Sequence, residues 1–452
     1  MAVKQRPGVL PLKFVVIGTG IAGLSAAISL CKAGHRVIVL EKEASLDHDD
    51  STRGGCRMTP NITSILHKWG LQEKLDQISV RSKGISLMLF DSGEHLGKYR
   101  WQDEVMKELG ADFAFVRYAD LKRLLYETAL EQGASFYFSA PVADLDPYAA
   151  RIVLESGQSI HCDVIVGADG VDGLTRKLMI GSDFEIGRET AKRTTIISKE
   201  MILTDPDLAY LYKHEYGSML VWMGKECFAL GFHAVGFLIL LTFQEYLIFS
   251  GGKGLQKLAR LVPSPPTCVT TGNRETLEEW ITGRLVIIGN AAHPLPPTSP
   301  QSLGLSIEDG AALARQFSRV RYEKQIEDFL SAFEDIRIPR SAAMHAKETG
   351  IVQYMSMQPS EEQEFRDQLM RARRDCGTNP YSVSFMSRTN CPEWVDMVEI
   401  YGYCVDDAVD DWWAHWGMLN ERARGTTVLL GNYSDSEASF ARSETHTEYL
   451  SM

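Results

Sequence analysis

Phe14-Val15-Val16-Ile17 is an unbroken β-branched and aromatic run that stops at Gly18, and Ile21 to Ala33 then carries helical composition until Gly34. His35 to Leu40 reads as a second strand. Residues 13 to 41 therefore predict a βαβ unit, whose parallel strands require a right-handed crossover. Ile85 to Phe90 and His95 to Trp101 flank Asp91-Ser92-Gly93, the turn chemistry of a hairpin. Arg117 to Gln132 places Leu121, Leu124, Leu125 and Ala129 at helical spacing, and Ser135 to Phe138 and Arg151 to Leu154 read as strands.

From Thr194 to Thr242 the pattern changes to strands, with Thr195 to Ser198, Ser218 to Met223 and Cys227 to Leu241 expected to share one antiparallel sheet with the hairpin. The apolar stretch Cys227 to Phe249 is broken by His233, Gln244 and Glu245, which marks buried strand and not a membrane span. Arg284 to Ile288 reads as a strand whose core, Leu285 to Ile288, is wholly apolar. Everything after Ile307 reads as helices, Trp412, Trp413 and Trp416 included, until a polar tail begins near Gly431.

Composition narrows the function. The chain has 452 residues, 44% hydrophobic and 23% charged, which is ordinary for a multidomain globular enzyme. Its formal net charge of -12 and its lack of a basic tract argue against nucleic-acid partners. The cysteines (Cys31, Cys56, Cys162, Cys227, Cys268, Cys376, Cys391 and Cys404) show no C-x-x-C pair and no zinc spacing, so free thiols and a cytoplasmic setting are expected. The N-terminus has no signal-peptide apolar region.

Gly18-Thr19-Gly20-Ile21-Ala22-Gly23 is a G-x-G-x-x-G between strand and helix. The first glycine makes the turn, the second admits a pyrophosphate and the third lets helix meet strand, with the phosphate on the helix N-terminus. Glu41, closing the second strand, is placed to hydrogen-bond ribose hydroxyls. This pattern alone leaves NAD and FAD open.

Two further stretches decide between them. Cys162-Asp163-Val164-Ile165-Val166-Gly167-Ala168-Asp169-Gly170-Val171-Asp172-Gly173 resembles the Asp-Gly motif of flavoprotein monooxygenases, and Arg284-Leu285-Val286-Ile287-Ile288-Gly289-Asn290-Ala291-Ala292-His293-Pro294 resembles their second flavin motif. In this order along one chain they resemble the single-component FAD-dependent aromatic hydroxylases, of the 4-hydroxybenzoate and salicylate hydroxylase type. The resemblance spans roughly Lys13 to Phe317 and implies an α/β fold: a Rossmann-like FAD-binding domain, 4-hydroxybenzoate hydroxylase-like, interleaved with a mixed or antiparallel-sheet substrate domain and followed by C-terminal helices. The implied division is 1–80, 102–182 and 283–345 for FAD, 81–101 and 183–282 for the substrate sheet, 346–430 for a helical region and 431–452 for a disordered tail.

The cofactor-binding residues that follow are Gly18, Gly20, Ile21, Ala22, Gly23, Glu41, Lys42, Arg57, Arg117, Val142, Asp169, Gly170, Gly289, Asn290, Ala291, Pro297 and Gly304. Arg117 opens its helix, where a cation opposes the helix dipole unless an anion lies close by; that favours a flavin role over a plain surface role. Asp169 resembles the family aspartate at the pyrophosphate and nicotinamide, with loop capping as the alternative. Asn290 stands where the family has aspartate, and Ser302 stands in the usual Gln-Gly step. The connection after Leu241 is shorter than the family's. Ile307-Glu308-Asp309 is expected to open a helix with acids at its N-terminal end, and His293 to fix loop geometry.

The implied activity is that of a monooxygenase using NADPH or NADH and O2 to hydroxylate, or decarboxylatively hydroxylate, a small aromatic or phenolic compound. In that family oxygen adds at flavin C4a, and the cofactor supplies the hard chemistry while the protein supplies a dry, ordered chamber. His233 and Tyr216 are the candidate catalytic residues for activating a phenol, each with a packing role as the alternative. An epoxidase, an oxidase or dehydrogenase, or a weakened flavin-binding protein remain compatible. No metal is implied, and a monomer or homodimer is expected.

Overall fold

Lys13–Ile17, Arg36–Leu40, Ser135–Tyr137, Val164–Gly167 and Leu285–Ile287 form a parallel sheet, with Ile281–Thr282 added antiparallel at one edge. Its spatial order runs Ile281–Thr282, Leu285–Ile287, Val164–Gly167, Lys13–Ile17, Arg36–Leu40, Ser135–Tyr137. Apart from Lys13, the central strands are free of polar side chains because a parallel sheet is covered on both faces. A computed structural model describes residues 9–46, 54–181, 188–243, 251–261, 267–273, 276–296, 298–382 and 392–419. Pro297, the connection at 244–250 and the tail 431–452 lie outside the described residues.

The helix Ile21–Ala33 is buried nearly all round. It lacks an amphipathic stripe because it is covered on every side, among others by the helices Gln301–Phe317 and Tyr118–Glu131. Gly310 permits the first of these crossings, since a Cβ there would stand 2.5 Å from the Ala26 nitrogen. The Gln301–Phe317 helix begins well before Ile307. Glu308 and Asp309 consequently lie inside it, and both are fully buried, which corrects the expectation that Ile307-Glu308-Asp309 opens the helix. Pro300, immediately ahead of Gln301, was the overlooked start signal.

A second sheet has seven strands in the order Thr267–Asn273, Arg188–Ser198, Phe237–Phe243, Phe228–Ala234, Ser218–Met223, Gly84–Leu89, His95–Arg100. The hairpin belongs to it as expected, but Ser218–Met223 runs parallel to Gly84–Leu89, so the sheet is mixed. The single strand expected over Cys227 to Leu241 is two strands, turned at Val235-Gly236 with Gly236 at φ 78°. Each face of this sheet has its own core. Ile202, Leu208, Tyr212, Leu255 and Leu258 from short helices cover Leu220, Trp222, Ala229, Leu238 and Leu240. Phe115 and Met370 pack with the opposite set, Val221, Phe228, Leu230, Phe232, Ile239 and Leu241.

Smaller three-stranded sheets are formed by Val142–Asp146, Arg151–Leu154 and Ser159–His161, and by Gly55–Met58, Ala114–Arg117 and Ser79–Arg81. The chain divides into two compact units, residues 1–404 and 405–452. The described part of the second comprises the helix Val405–Trp412 and a wider turn over Trp413–Gly417. No helix among the described residues is long and apolar enough to cross a membrane.

Candidate flavin site

The register of the parallel sheet assembles the site. Ile17 lies beside Gly167, and Gly167 beside Ile287. The residues that follow (Gly18, Ala168-Asp169 and Ile288-Gly289) therefore emerge side by side at the carboxyl edge, where open α/β sheets take their ligands. The Ala168 amide donates to the Ile17 carbonyl at 2.9 Å and the Ile288 amide to the Gly167 carbonyl at 2.8 Å, so adjacent loops are tied together at their roots.

Each glycine of the first loop has a separate reason. Gly18 sits at φ 104°, and a Cβ on it would come within 2.6 Å of the Ala168 carbonyl oxygen. At Gly23 a Cβ would stand 2.1 Å from the Gly18 oxygen. Gly20 differs: its φ and ψ (-68° and 174°) suit any residue, and a Cβ there would meet nothing closer than the Ala168 oxygen at 4.0 Å. Open space beside Gly20, at a helix N-terminus without side-chain cap or acidic residue in its first turn, is the cradle a pyrophosphate needs. Ile21 and Ala22 are the first residues of that helix, and Ala22 abuts Gly289, where a Cβ would come within 2.7 Å of the Ala22 Cβ.

Glu41 lies at the end of the next strand, and its carboxylate accepts from the Thr19 amide (2.9 Å), the Thr19 hydroxyl (2.5 Å) and the Glu43 amide (3.0 Å). Burial pushes its pKa up, but these bonds outweigh burial and hold it below the usual carboxylate range. Val142 lies two residues beyond Ala140, whose amide donates to the Glu41 carbonyl at 2.9 Å. Lys42, by contrast, is exposed and pairs loosely with Glu43 at 3.9 Å.

Asp169 touches the site through its backbone, since a Cβ on Gly18 would lie 3.2 Å from its Cα. Its carboxylate accepts from the Thr175 amide (3.0 Å) and hydroxyl and so caps the helix Leu174–Ile180. Burial raises its pKa against those bonds. Gly170 follows at φ 83°. Arg117 forms a bidentate pair with Asp120, 2.6 Å on both arms, and its guanidinium lies 5.0 Å from the Phe237 ring centroid. The anion that a cation at this helix start demands is thus supplied within the chain.

Gly289 (φ 60°) donates its amide to Asp309 at 2.9 Å, and His293 Nε2 bonds the same carboxylate at 2.6 Å. His293 therefore does hold loop geometry. Arg337 reaches Asp309 at 2.8 Å and Glu308 at 2.9 Å, Arg340 reaches Glu308 at 3.2 Å, and Asn61 donates to Glu308 at 2.7 Å. Sequence reasoning missed this buried network. Gln301 joins it through Thr59 and Asn61 and fills the space a Cβ on Gly304 would need. Ala291 is buried, and its carbonyl accepts from Arg176 at 2.8 Å.

Asn290 and Ser302, the two departures in the flavin motifs, meet: the Ser302 hydroxyl donates to Asn290 Oδ1 at 2.9 Å. A carboxylate accepts from that hydroxyl equally well, and hydrogen bonds to charged groups are worth about 1 kcal/mol more than neutral ones. N290D is therefore expected to keep the fold and to tighten FAD binding by about tenfold at most, as read by titrating apoprotein with FAD. An Asp variant with weaker binding would remove this residue from the site.

His233 and Tyr216 meet on the face of the sheet turned away from the Gly55 strand. Phe232 points at the Gly55 strand, where a Cβ on Gly55 would stand 3.1 Å from its ring. Strand alternation turns the next residue, His233, to the opposite face. There its ring lies 4.6 Å from that of Tyr212 and 5.0 Å from that of Tyr216. Burial lowers the His233 pKa to about 4, a poor base for a phenol. The face toward the Gly55 strand carries Thr194, Met219, Phe232 and Ile239 instead.

The fold is shared with known proteins. A family profile described as "FAD binding domain" matches residues 12–230 and 261–348. The chain belongs to this FAD-binding family. Among its relatives, FAD-dependent monooxygenase OpS4 of Beauveria bassiana (strain ARSEF 2860) is 26% identical over 420 residues, covering 87% of this chain and 95% of that protein. The 3-hydroxybenzoate 6-hydroxylase of Klebsiella oxytoca is 24% identical over 353 residues, 73% of this chain and 85% of that one. The structure of a salicylate hydroxylase substrate complex superimposes with a TM-score of 0.70 at 16% identity, over 88% of this chain and 97% of that one. CtdE with FAD and a substrate gives 0.72 at 18% identity, over 91% and 100%. These relatives, FAD-dependent monooxygenases and aromatic hydroxylases by name, agree with the resemblance carried by the three motifs.

Proposed function

We propose that this chain uses NADPH or NADH and O2 to hydroxylate a small aromatic or phenolic compound, with FAD held where the three parallel strands end. The supporting observation is the register Ile17–Gly167–Ile287, which sets the glycine turn, the Asp169 loop and the Gly289 loop on one edge. Gly20 and the amides of Ile21 and Ala22 would hold the pyrophosphate, Glu41 the ribose hydroxyls, and Asn290 the linker to the ring. When bound, FAD would supply the redox chemistry that couples oxidation of the nicotinamide to insertion of one oxygen atom of O2 into the substrate, the other going to water. Residues 81–101 and 183–282 are assigned to the substrate domain, whose inner face (Met219, Phe232, Ile239) keeps water from the reacting atoms. The protein's own contribution is order and dryness, so the chemistry does not require a triad. Free cysteines fit a cytoplasmic protein.

The test is NAD(P)H oxidation by the FAD-loaded protein with hydroxybenzoates and larger phenols, followed by product mass. A member of the panel is expected to stimulate oxidation and to gain one oxygen. Stimulated oxidation without an oxygenated product favours an oxidase or dehydrogenase, and no stimulation by any phenol removes the aromatic assignment.

A further inference from the structure

Arg57, half-buried, is partnered differently from the fully buried Arg337 and Arg366. Arg337 and Arg366 each meet carboxylates at 2.9 Å or closer. Arg57 instead donates to the Met219 thioether at 3.5 Å and to the Thr298 carbonyl, two neutral acceptors, and the guanidinium fork has further N–H donors to offer. Its position is also distinctive. Gly55 and Arg57 alternate onto the same side of their strand, and Gly55 abuts Phe232 and Ile239 of the substrate sheet. Arg57 thereby joins the flavin unit, the inner face of the substrate sheet through Met219, and the loop after the Gly289 motif through Thr298. Glu348 of the long helix Ile326–Met355, 2% exposed, opposes it electrostatically.

We propose that Arg57, with Glu348 as its replaceable counter-charge, binds an anionic oxygen of the substrate, the carboxylate or phenolate of a small aromatic ring. This rests on the monooxygenase reading above and gives Arg57 a substrate role in place of the cofactor role suggested by the sequence. A half-buried guanidinium whose two hydrogen-bond acceptors are neutral is poised for a charge-assisted, bidentate bond. An entering anion and an ionised Glu348 compete for that one cation, so binding should be coupled to protonation of Glu348. Burial raises the Glu348 pKa to about 7, while Arg57 first, then Ser299 and the Gln301 amide, pull it down; a second anion beside Arg57 weakens the first of these pulls, raises the pKa further and draws a proton from solvent near pH 7. The other groups acting on Arg57 are Cys56 and Tyr401; burial first, then Glu348, raises the pKa of Tyr401, with Tyr381 and Asp396 adding to the rise and Arg57 opposing it.

The experiment is calorimetric titration of the FAD-loaded protein with benzoate and with benzamide, in two buffers of different protonation enthalpy, with FAD affinity measured separately. Benzoate is expected to bind at least about 30-fold more tightly than benzamide, since charged hydrogen bonds outweigh neutral ones. R57M should lose that preference while FAD affinity stays within about threefold, and R57K should retain part of it because charge survives without the fork. Wild-type binding should take up a fraction of a proton at pH 7 and weaken from pH 6 to 8; E348Q should show neither effect. Equal binding of benzoate and benzamide, no benzoate binding, proton uptake that persists in E348Q, or FAD loss in R57M with the benzoate preference intact would each overturn the proposal. A yellow enzyme that oxygenates a phenol but ignores the charge of these probes defeats this inference alone, whereas a protein that takes up no FAD defeats the functional reading beneath it.

Discussion

G20V is expected to abolish FAD retention while leaving the apoprotein folded. The backbone at Gly20 is extended and unstrained, and the nearest atom to an added Cβ is 4.0 Å away, so valine is accommodated by the protein itself. Its branches would occupy the space above the helix N-terminus, where the pyrophosphate must approach the amides. A loss of at least about 100-fold in FAD affinity, roughly 3 kcal/mol, should result, with a thermal midpoint shifted by only about 2 °C. G18V is the contrasting control: at φ 104° and 2.6 Å from the Ala168 oxygen, a side chain strains the turn and should destabilise the fold itself. Flavin fluorescence titration and apoprotein melting separate the two variants. Wild-type FAD affinity in G20V would mean that the open space serves something else.

D309A should be the most damaging single change to stability. Asp309 is fully buried and takes hydrogen bonds from the Gly289 amide, His293 and Arg337. Deleting it leaves a buried guanidinium short of a partner and a buried amide without an acceptor, which costs about 3–5 kcal/mol. Urea unfolding would read that loss, and a change below about 1 kcal/mol would show the network to be unimportant to stability. The pH dependence has a definite sign. Burial alone would raise the Asp309 pKa, but His293 and Arg337 bring it to about 2, beneath an unfolded value of about 3.9. Its contribution is therefore fully present above about pH 4 and fades as pH falls toward 2, so wild type and D309A should converge in acid. Because the same carboxylate anchors Gly289, D309A should also weaken FAD binding.

Much of this was legible in local patterns. The βαβ start, the hairpin and the strands Arg151–Leu154 and Ser218–Met223 follow from runs and turns a few residues long. The three motifs carried the register of a sheet although they are far apart in the chain, because each is a strand followed by a functional loop. What escaped depended on tertiary context. The break at Val235-Gly236 sits inside an apolar run with no charged residue to mark it. Which face of the sheet His233 occupies follows from its neighbour's contact with Gly55, which periodicity cannot supply. Glu308 and Asp309 looked like helix-start acids because the arginines that neutralise them lie on the following long helix. Arg57 and Glu348 are likewise opposed only through the fold.

A crystal structure of the protein with FAD would test the central claim most directly. Electron density for the pyrophosphate is expected against Gly20 and the amides of Ile21 and Ala22, with the ring system reaching past the Gly289 loop toward Met219 and Phe232. Flavin density elsewhere, with the ends of the 13–17, 164–167 and 285–287 strands untouched, would contradict it.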